Sequence, residues 1–331
     1  MKLLATFFLC ALSCIVIGDE GTGEILPQQW WPSEWGGQDE LGAMNRLGTQ
    51  KVLEAAALIS SGRVFDLSRT LDEDIPLFNL TPGRRKYTLS IPGAPTWGPM
   101  GENKLAWNED YISGHLSQDG TQFDSLAHMA TELGKPGDLN ELRYYNGFRH
   151  SAIATSRGFR RLGVEKTIPI FTRGILIDVS GYRGRMLERS EEITVEDLLG
   201  ALESQGMSVD DIKPGDALFY HTGWGLLWGK DNEKFNSGTP GLSIEAGDWV
   251  VERKVVMVGT DNWAVEAIPS PDPRWFAPNH QKFLVENGIY IMENLDFSQL
   301  LKAKVHEFAF IFAAVPMRGA TGSPARPIAV K

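Results

Sequence analysis

The chain of 331 residues is 42% hydrophobic and 22% charged, a composition typical of a globular protein and not of a disordered, collagenous or coiled-coil chain. The formal net charge is -10 and no run of Lys and Arg with interleaved aromatic residues occurs, so nucleic acid and anionic membranes are poor partners and a small molecule is expected. Both cysteines, Cys10 and Cys14, lie in the first 14 residues, which excludes a thiolate nucleophile or a Cys-ligated zinc ion elsewhere.

The first 18 residues have the pattern of a secretory signal peptide. Lys2 precedes an uncharged apolar run from Leu3 to Ile17, and Gly18 ends the run. A retained membrane anchor is the alternative, but the run is shorter than the roughly 20 apolar residues that a span needs. We therefore expect a secreted or periplasmic protein that does not contact the membrane once residues 1–18 are cleaved. After the signal, the sequence predicts a Trp-rich N-terminal arm over residues 19–60 and one domain over residues 61–331.

Apolar runs and turn residues predict alternating strands and helices along that domain. A helix starts after Thr194, with Asp197 completing a variant of the capping box, and a second helix starts after Ser243. A third helix is predicted over 279–286. The predicted strands cover 64–67, 174–179, 217–220, 255–258, 289–292 and 308–315. This alternation predicts an α/β fold with a mixed sheet.

Side chains that could bind a metal ion are concentrated in residues 118–128. On an extended backbone Gln118, Gln122 and Asp124 would point to the same side around Gly120, which leaves room for an ion. His128 follows after a bend. The amides would add neutral oxygen ligands or hold a water molecule.

A second group consists of His280, at the start of a predicted helix, and Glu293, at the end of the next predicted strand. Two histidines and two carboxylates suit Zn²⁺ or Mn²⁺. The alternative is that each of these side chains is a hydrogen-bonded structural group. The sequence contains no Gly-x-Ser-x-Gly motif, so nothing indicates a serine hydrolase.

The 118–128 segment resembles the signature His-x-Gly-Thr-His-x-Asp-x-Pro-x-His of the metal-dependent cyclase family, which includes kynurenine formamidase and isatin hydrolase. Gly120, Thr121, Asp124 and His128 match it. Gln118 and Gln122 stand where the family has histidines, as in a longer Gln-x-Gly-Thr-Gln-x-Asp branch, and Leu126 replaces the proline. Further similar blocks cover nearly all of the mature chain: 35–46, 62–68, 215–224, 240–243, 259–261 and 319–324.

The resemblance implies a swivelling β/β/α domain and one divalent metal, Mn²⁺ or Zn²⁺. It implies Gln118, Gln122, Asp124, His128, His280 and Glu293 as metal residues. It also implies a homo-oligomeric hydrolase that cleaves a small amide, lactam or lactone with metal-activated water. In that reading Asp124 or Glu293 orients the water and His128 carries a proton. The alternatives are a cyclase or dehydratase of the same family, and a binding protein that lost turnover when the glutamines replaced histidines.

Four aromatic residues are candidates for the wall of a substrate pocket, against the simpler expectation that they belong to the core. They are Trp107, Phe123, Trp224 and Trp263. His221 is a further pocket candidate, with a packed histidine at the end of a strand as the alternative.

Overall fold

The computed structural model describes residues 29–77 and 84–331. The predicted signal peptide at 1–18 lies outside the described residues, as does most of the stretch from 19 to 28 that begins the predicted arm. Within the described residues, no helix combines the length and the apolar composition needed to cross a membrane.

The centre of the described structure is one nine-stranded sheet. Its strands, in chain order, are β1 (Val64–Asp66), β2 (Gln122–Asp124), β3 (Ile170–Asp178), β4 (Ala217–His221), β5 (Met257–Thr260), β6 (Tyr290–Glu293), β7 (Glu307–Phe312), β8 (Gly322–Pro324) and β9 (Ile328–Val330). The order across the sheet is β1-β9-β7-β3-β4-β5-β6-β2-β8. Strands β3 to β6 run parallel and every other pair is antiparallel, so the sheet is mixed, as the sequence predicts.

Helices flank the sheet and connect its parallel strands. They are α1 (Thr49–Ala56), α2 (His150–Ile153), α3 (Val179–Arg183), α4 (Val195–Ser204), α5 (Asn232–Asn236), α6 (Ile244–Glu252), α7 (Pro278–His280), the π-helix Gln281–Glu286 and α8 (Ser298–Ala303). Short 3₁₀ helices cover Gly42–Arg46, Tyr145–Gly147, Val164–Lys166, Val209–Asp211 and Trp224–Leu227.

Five small two-stranded pairs lie outside the sheet. They are Thr88–Ser90 with Tyr111–Ser113, Trp97–Met100 with Leu105–Trp107, Thr131–Glu132 with Leu142–Arg143, Ala154–Thr155 with Gly158–Phe159, and Glu192–Ile193 with Gly241–Leu242. The first two pairs follow one another along a hairpin.

The helix starts follow the predicted caps. Thr194 accepts a hydrogen bond from the backbone N–H of Asp197, whose carboxylate accepts one from the Thr194 backbone, which completes the capping box of α4. The Ser243 hydroxyl caps α6 through the Ala246 backbone at 3.1 Å. The predicted third helix is split into α7 and the π-helix. An α/β fold with a large mixed sheet is confirmed, whereas the swivelling β/β/α description stays a prediction.

The described part of the predicted N-terminal arm packs on the rest of the chain through polar contacts. The indole N–H of Trp30 donates to the carbonyl of Tyr144 at 3.2 Å. The Tyr145 hydroxyl donates to Asp39 at 2.7 Å. These bonds fix the path of the chain before β1 against a loop that follows β2.

A buried ion network ties α1 to the centre of the sheet. Asp216, which is fully buried before β4, contacts the ammonium of Lys51 on α1 and accepts from Arg173 Nε on β3 at 3.0 Å. The Lys213 backbone N–H donates to the same carboxylate at 2.8 Å. Arg173 also reaches Glu307 on β7 at 3.1 Å. One carboxylate therefore neutralises cations from two elements.

We expect Asp216→Asn to lower the free energy of unfolding by about 3–5 kcal/mol, because it leaves two cations in a buried site without their counter-charge. Asp248→Asn is the matched control. Its carboxylate contacts Lys282 with 62% of the side chain exposed, and such a pair contributes no more than about 1 kcal/mol. Urea unfolding of both variants measures the difference, and equal losses would contradict the assigned role of Asp216.

Candidate metal and substrate site

The candidate site lies where strand β2 meets β6. The two strands are antiparallel and their register places Gln122 opposite Glu293 and Asp124 opposite Ile291. Gln122 and Asp124 are two residues apart on a strand, so their side chains project to the same face. The strand pairing thus brings the 118–128 segment to the carboxyl end of a parallel strand, the edge at which α/β sheets bind ligands.

Three side chains at this junction have ligand atoms that all lie within 4.8 Å of one another. They are Asp124, His280 and Glu293, and all three are buried. Two ligands of one ion at about 2.1 Å each are at most about 4.2 Å apart, so a movement of a fraction of an ångström would close the set around one ion. Four of the six predicted metal residues therefore divide into this triad and His128, which stands beside it.

The two glutamines hold the carboxylates of the triad. Gln118 Nε2 donates to Asp124 Oδ1 at 3.1 Å, and Gln122 Nε2 donates to Glu293 Oε2 at 2.9 Å. Gln118 lies in a turn and Gly120 has φ +68°, so the extended backbone predicted for 118–124 is wrong before Gln122. The side chains converge nevertheless because the turn folds Gln118 back toward the strand.

Each carboxylate keeps one oxygen that no described hydrogen-bond donor satisfies. Asp124 Oδ2, Glu293 Oε1 and the carbonyl oxygen of Gln122 are all buried in this condition. Glu293 Oε1 lies 3.4 Å from His280 Nε2 without a hydrogen bond. Buried oxygens without partners are costly, and a cation is the partner that several clustered acceptors can share. The donor set of this chain therefore fits a divalent ion.

Glu266 orients His280 from the side away from Glu293. His280 Nδ1 donates to Glu266 Oε1 at 2.8 Å, and the His280 backbone N–H donates to Oε2 at 2.9 Å. Because Nδ1 carries this hydrogen bond, Nε2 is the nitrogen turned to the triad, the arrangement seen in carboxylate-histidine-metal sites. No sequence motif marks Glu266, and the sequence analysis missed it.

Burial and crowded charges shift the pKa values of these groups. Burial raises the pKa of Glu293 to about 8, against the opposing effect of His280. Burial opposes a charge on His280, but the carboxylates of Glu266 and Glu293 outweigh it and raise the pKa of His280 well above its ordinary value. Burial lowers the pKa of His128, so this imidazole is neutral near pH 7.

A cavity of about 420 Å³ opens onto the triad. His128, His280, Glu293 and Gln122 are among the polar residues that line it, and the apolar part includes Trp228, Phe235, Trp263 and Phe276. His115 and Arg84 also reach the cavity, and neither was assigned to a site from the sequence. The size and lining suit a small, partly aromatic molecule.

Two of the predicted pocket residues do not line this cavity. Phe123 is fully buried and stacks on Tyr290 with ring centroids 5.2 Å apart. Its neighbours Gln122 and Asp124 face the site, so alternation along the strand sends Phe123 to the other face. Trp224 is also fully buried, and its indole N–H donates to the carbonyl of Phe235 at 3.2 Å. Predicting these two as pocket residues is wrong.

Trp263 lines the cavity as predicted, and its indole N–H donates to the same Phe235 carbonyl at 2.8 Å. Trp107 lies on the exposed hairpin strand Leu105–Trp107 and is not in the wall. The signal for the other wall aromatics, in the 228–235 segment and at Phe276, was present only as unplaced aromatic residues.

His221 is not in the cavity wall either. Its Nδ1 lies 2.8 Å from Asp178 Oδ1, and its Nε2 lies 3.6 Å from Asp261 Oδ2. Burial disfavours its charge, but Asp261 and Asp178 outweigh burial and raise the pKa of His221. The alternative reading of a packed histidine at a strand end describes this residue, and its place in the pocket is a wrong prediction.

Comparisons with known proteins agree with this fold. A family model named Cyclase, described as "Putative cyclase", matches residues 65–267. A crystal structure of a novel cyclase is 31% identical, with a TM-score of 0.75 over 90% of this chain and 98% of that chain. No curated protein sequence matches the chain.

Two isatin hydrolases share the fold at lower identity. Isatin hydrolase A from Ralstonia solanacearum is 22% identical, with a TM-score of 0.57 over 86% of this chain and 98% of that one. Isatin hydrolase A from Labrenzia aggregata, in a structure with benzyl benzoate, is 21% identical, with a TM-score of 0.56 over 83% and 94%. The match of the family model over most of the chain, together with the 31% identical structure, shows that this protein belongs to the cyclase family.

Proposed function

We propose that this protein is a metal-dependent hydrolase that cleaves a small aromatic amide, lactam or lactone. The observation that carries the proposal is the set of buried, unpaired oxygens of Gln122, Asp124 and Glu293 beside His280, at the wall of a cavity with aromatic lining. Asp124, His280 and Glu293 would hold one divalent ion. Gln122 would add its carbonyl oxygen, and Gln118 would orient Asp124 without binding the ion.

A bound divalent ion would supply Lewis acidity to a substrate carbonyl and lower the pKa of a water molecule. The residues of the chain position and protonate the reactants. Glu266 fixes the His280 ring, and the amide of Gln122 fixes the outer oxygen of Glu293. His128 lines the same cavity in its neutral form, so one ring nitrogen can take a proton and later return it to the leaving group.

The oxygen-rich ligand set favours Mn²⁺ at least as much as Zn²⁺, because carboxylate and amide oxygens are harder ligands than imidazole. The signal sequence at residues 1–18 supports a secreted or periplasmic location. The aromatic wall formed with Trp228, Phe235 and Trp263 supports an aromatic substrate, in keeping with the isatin hydrolases that share the fold. The swivelling β/β/α description is proposed on the resemblance alone.

Elemental analysis tests whether the triad binds an ion. We expect about one Mn²⁺ or Zn²⁺ per wild-type chain after reconstitution and dialysis, and its loss in His280→Ala, which removes the nitrogen ligand. His306→Ala is the matched control, because burial also lowers the exposure of this histidine but it lies far from the triad in its contacts, with its carbonyl bonded to Leu176. A wild type without metal, or a His280→Ala variant that keeps it, would refute the site.

Gln122→His tests the role of the amide oxygen. This change supplies the imidazole that the family signature has at the position, so we expect the affinity for Zn²⁺ to rise relative to Mn²⁺ by about 10-fold or more. Competition between the two ions, followed by the electron paramagnetic resonance signal of free Mn²⁺, measures the ratio. A ratio equal to that of the wild type would show that residue 122 does not contact the ion.

Labelled water distinguishes hydrolysis from the alternative of cyclisation or dehydration. We expect the Mn²⁺-loaded protein to cleave one of an aryl formamide, isatin and an aryl lactone, with one ¹⁸O atom from water in the acid product. Glu293→Gln should lower the rate by at least about 100-fold, since it removes a ligand and the candidate base. Turnover without label in the product would favour a cyclase or dehydratase. Metal binding without any turnover would favour a binding protein.

A further inference from the structure

We infer that the hairpin formed by residues 84–115, hereafter the hairpin arm, is the element through which two copies of this chain associate. The arm leaves the domain at Arg84 and returns at His115, and both of these residues line the cavity. Between them, every residue from Thr88 to Ile112 except Thr96 is exposed. The arm therefore extends from the rim of the site into solvent with little support from its own domain.

The arm presents apolar side chains on one face. Trp97 is paired directly with Trp107, and Met100 with Leu105, so the members of each pair project to the same side. The indole N–H of Trp97 points to the sulfur of Met100 at 2.9 Å, which joins the two pairs into one cluster. Nearer the domain, Leu89 is paired with Ile112.

The exposed apolar area of the arm matches what one partner of a stable dimer buries. Eight large apolar side chains of the arm are between 37% and 64% exposed: Leu89, Ile91, Trp97, Met100, Leu105, Trp107, Tyr111 and Ile112. At about 200 Å² for a whole large side chain, they leave on the order of 800 Å² in water. A standard interface buries about 800 Å² per partner, whereas the largest apolar patch on a monomer is about 300–600 Å².

The strands of the arm also need a partner for structural reasons. A two-stranded ribbon without a packed face is marginally stable in water, and its outer edges leave N–H and C=O groups unpaired. A second arm laid across the first satisfies both needs, because the contact is formed by the same residues on each copy, as in a two-fold dimer.

The charges of the arm favour a second copy over a lipid surface. From Thr88 to Ile112 the arm carries one cation, Lys104, against the three anions Glu102, Glu109 and Asp110. This acidic excess opposes an anionic membrane. The base of the arm is basic, with Arg85 and Lys86, so two arms that cross in opposite directions place basic residues of one near acidic residues of the other.

Sedimentation velocity on the purified full-length mature protein tests the inference. We expect a wild-type mass near twice the chain mass of 36.6 kDa at micromolar concentration. Trp97→Ser and Leu105→Ser, singly and combined, should shift the protein to the monomer. Leu139→Ser is the matched control, because Leu139 and Leu105 are each 58% exposed and only Leu105 lies on the arm. The control should remain dimeric.

Three results would overturn the inference. They are a wild type that is monomeric up to about 100 µM, an oligomer that survives the combined arm variant, and wild-type binding to phosphatidylcholine vesicles that the arm variant abolishes. Metal content measured on the same samples identifies a variant that failed to fold, and Tyr111→Ser then serves as the second arm variant. Because the readout is mass and not turnover, the result is independent of the proposed hydrolase activity.

Discussion

The site depends on the antiparallel pairing of β2 with β6. This pairing sets Gln122 against Glu293 although the two residues are 171 positions apart in the chain. Because neighbouring residues on a strand alternate between faces, the same register directs Gln122 and Asp124 to the cavity and Phe123 to the core. A slip of one residue would exchange these roles and remove both carboxylate contacts, so the fold and the site are fixed by a single register.

Carboxylates that are buried without full hydrogen bonding impose a requirement on the molecule. Asp124 and Glu293 are almost fully buried, and each has one oxygen without a donor among the described residues. Glu266 adds a third buried carboxylate, which His280 partly neutralises. Leaving this negative charge uncompensated is unfavourable, and a divalent cation would compensate it while using the oxygens that are free. The same arrangement stabilises the ion-bound state and prepares the chemistry.

Much of the frame could be predicted because its signals are local. Caps at Thr194 and Ser243 and apolar runs at the core strands depend on a few neighbouring residues, and the resemblance to the family rests on contiguous motifs. The Glu266 contact, by contrast, joins residues on different elements and has no local pattern. The mistaken placement of Phe123 came from counting aromatic residues near the motif without applying strand alternation. Trp224 was misassigned because exposure cannot be deduced from residue type, and its indole instead supports the carbonyl of Phe235.

The replacement of two histidines by glutamines is consistent with a working site and does not require loss of function. Each amide N–H₂ group holds a carboxylate oxygen, which an imidazole that coordinates metal would not do in the same way. The central claim is that Asp124, His280 and Glu293 share one ion. The most direct test is anomalous scattering from crystals soaked in Mn²⁺. The account predicts a single strong peak within about 2.4 Å of ligand atoms from all three residues. A peak that lies elsewhere, or none at this junction, would contradict it.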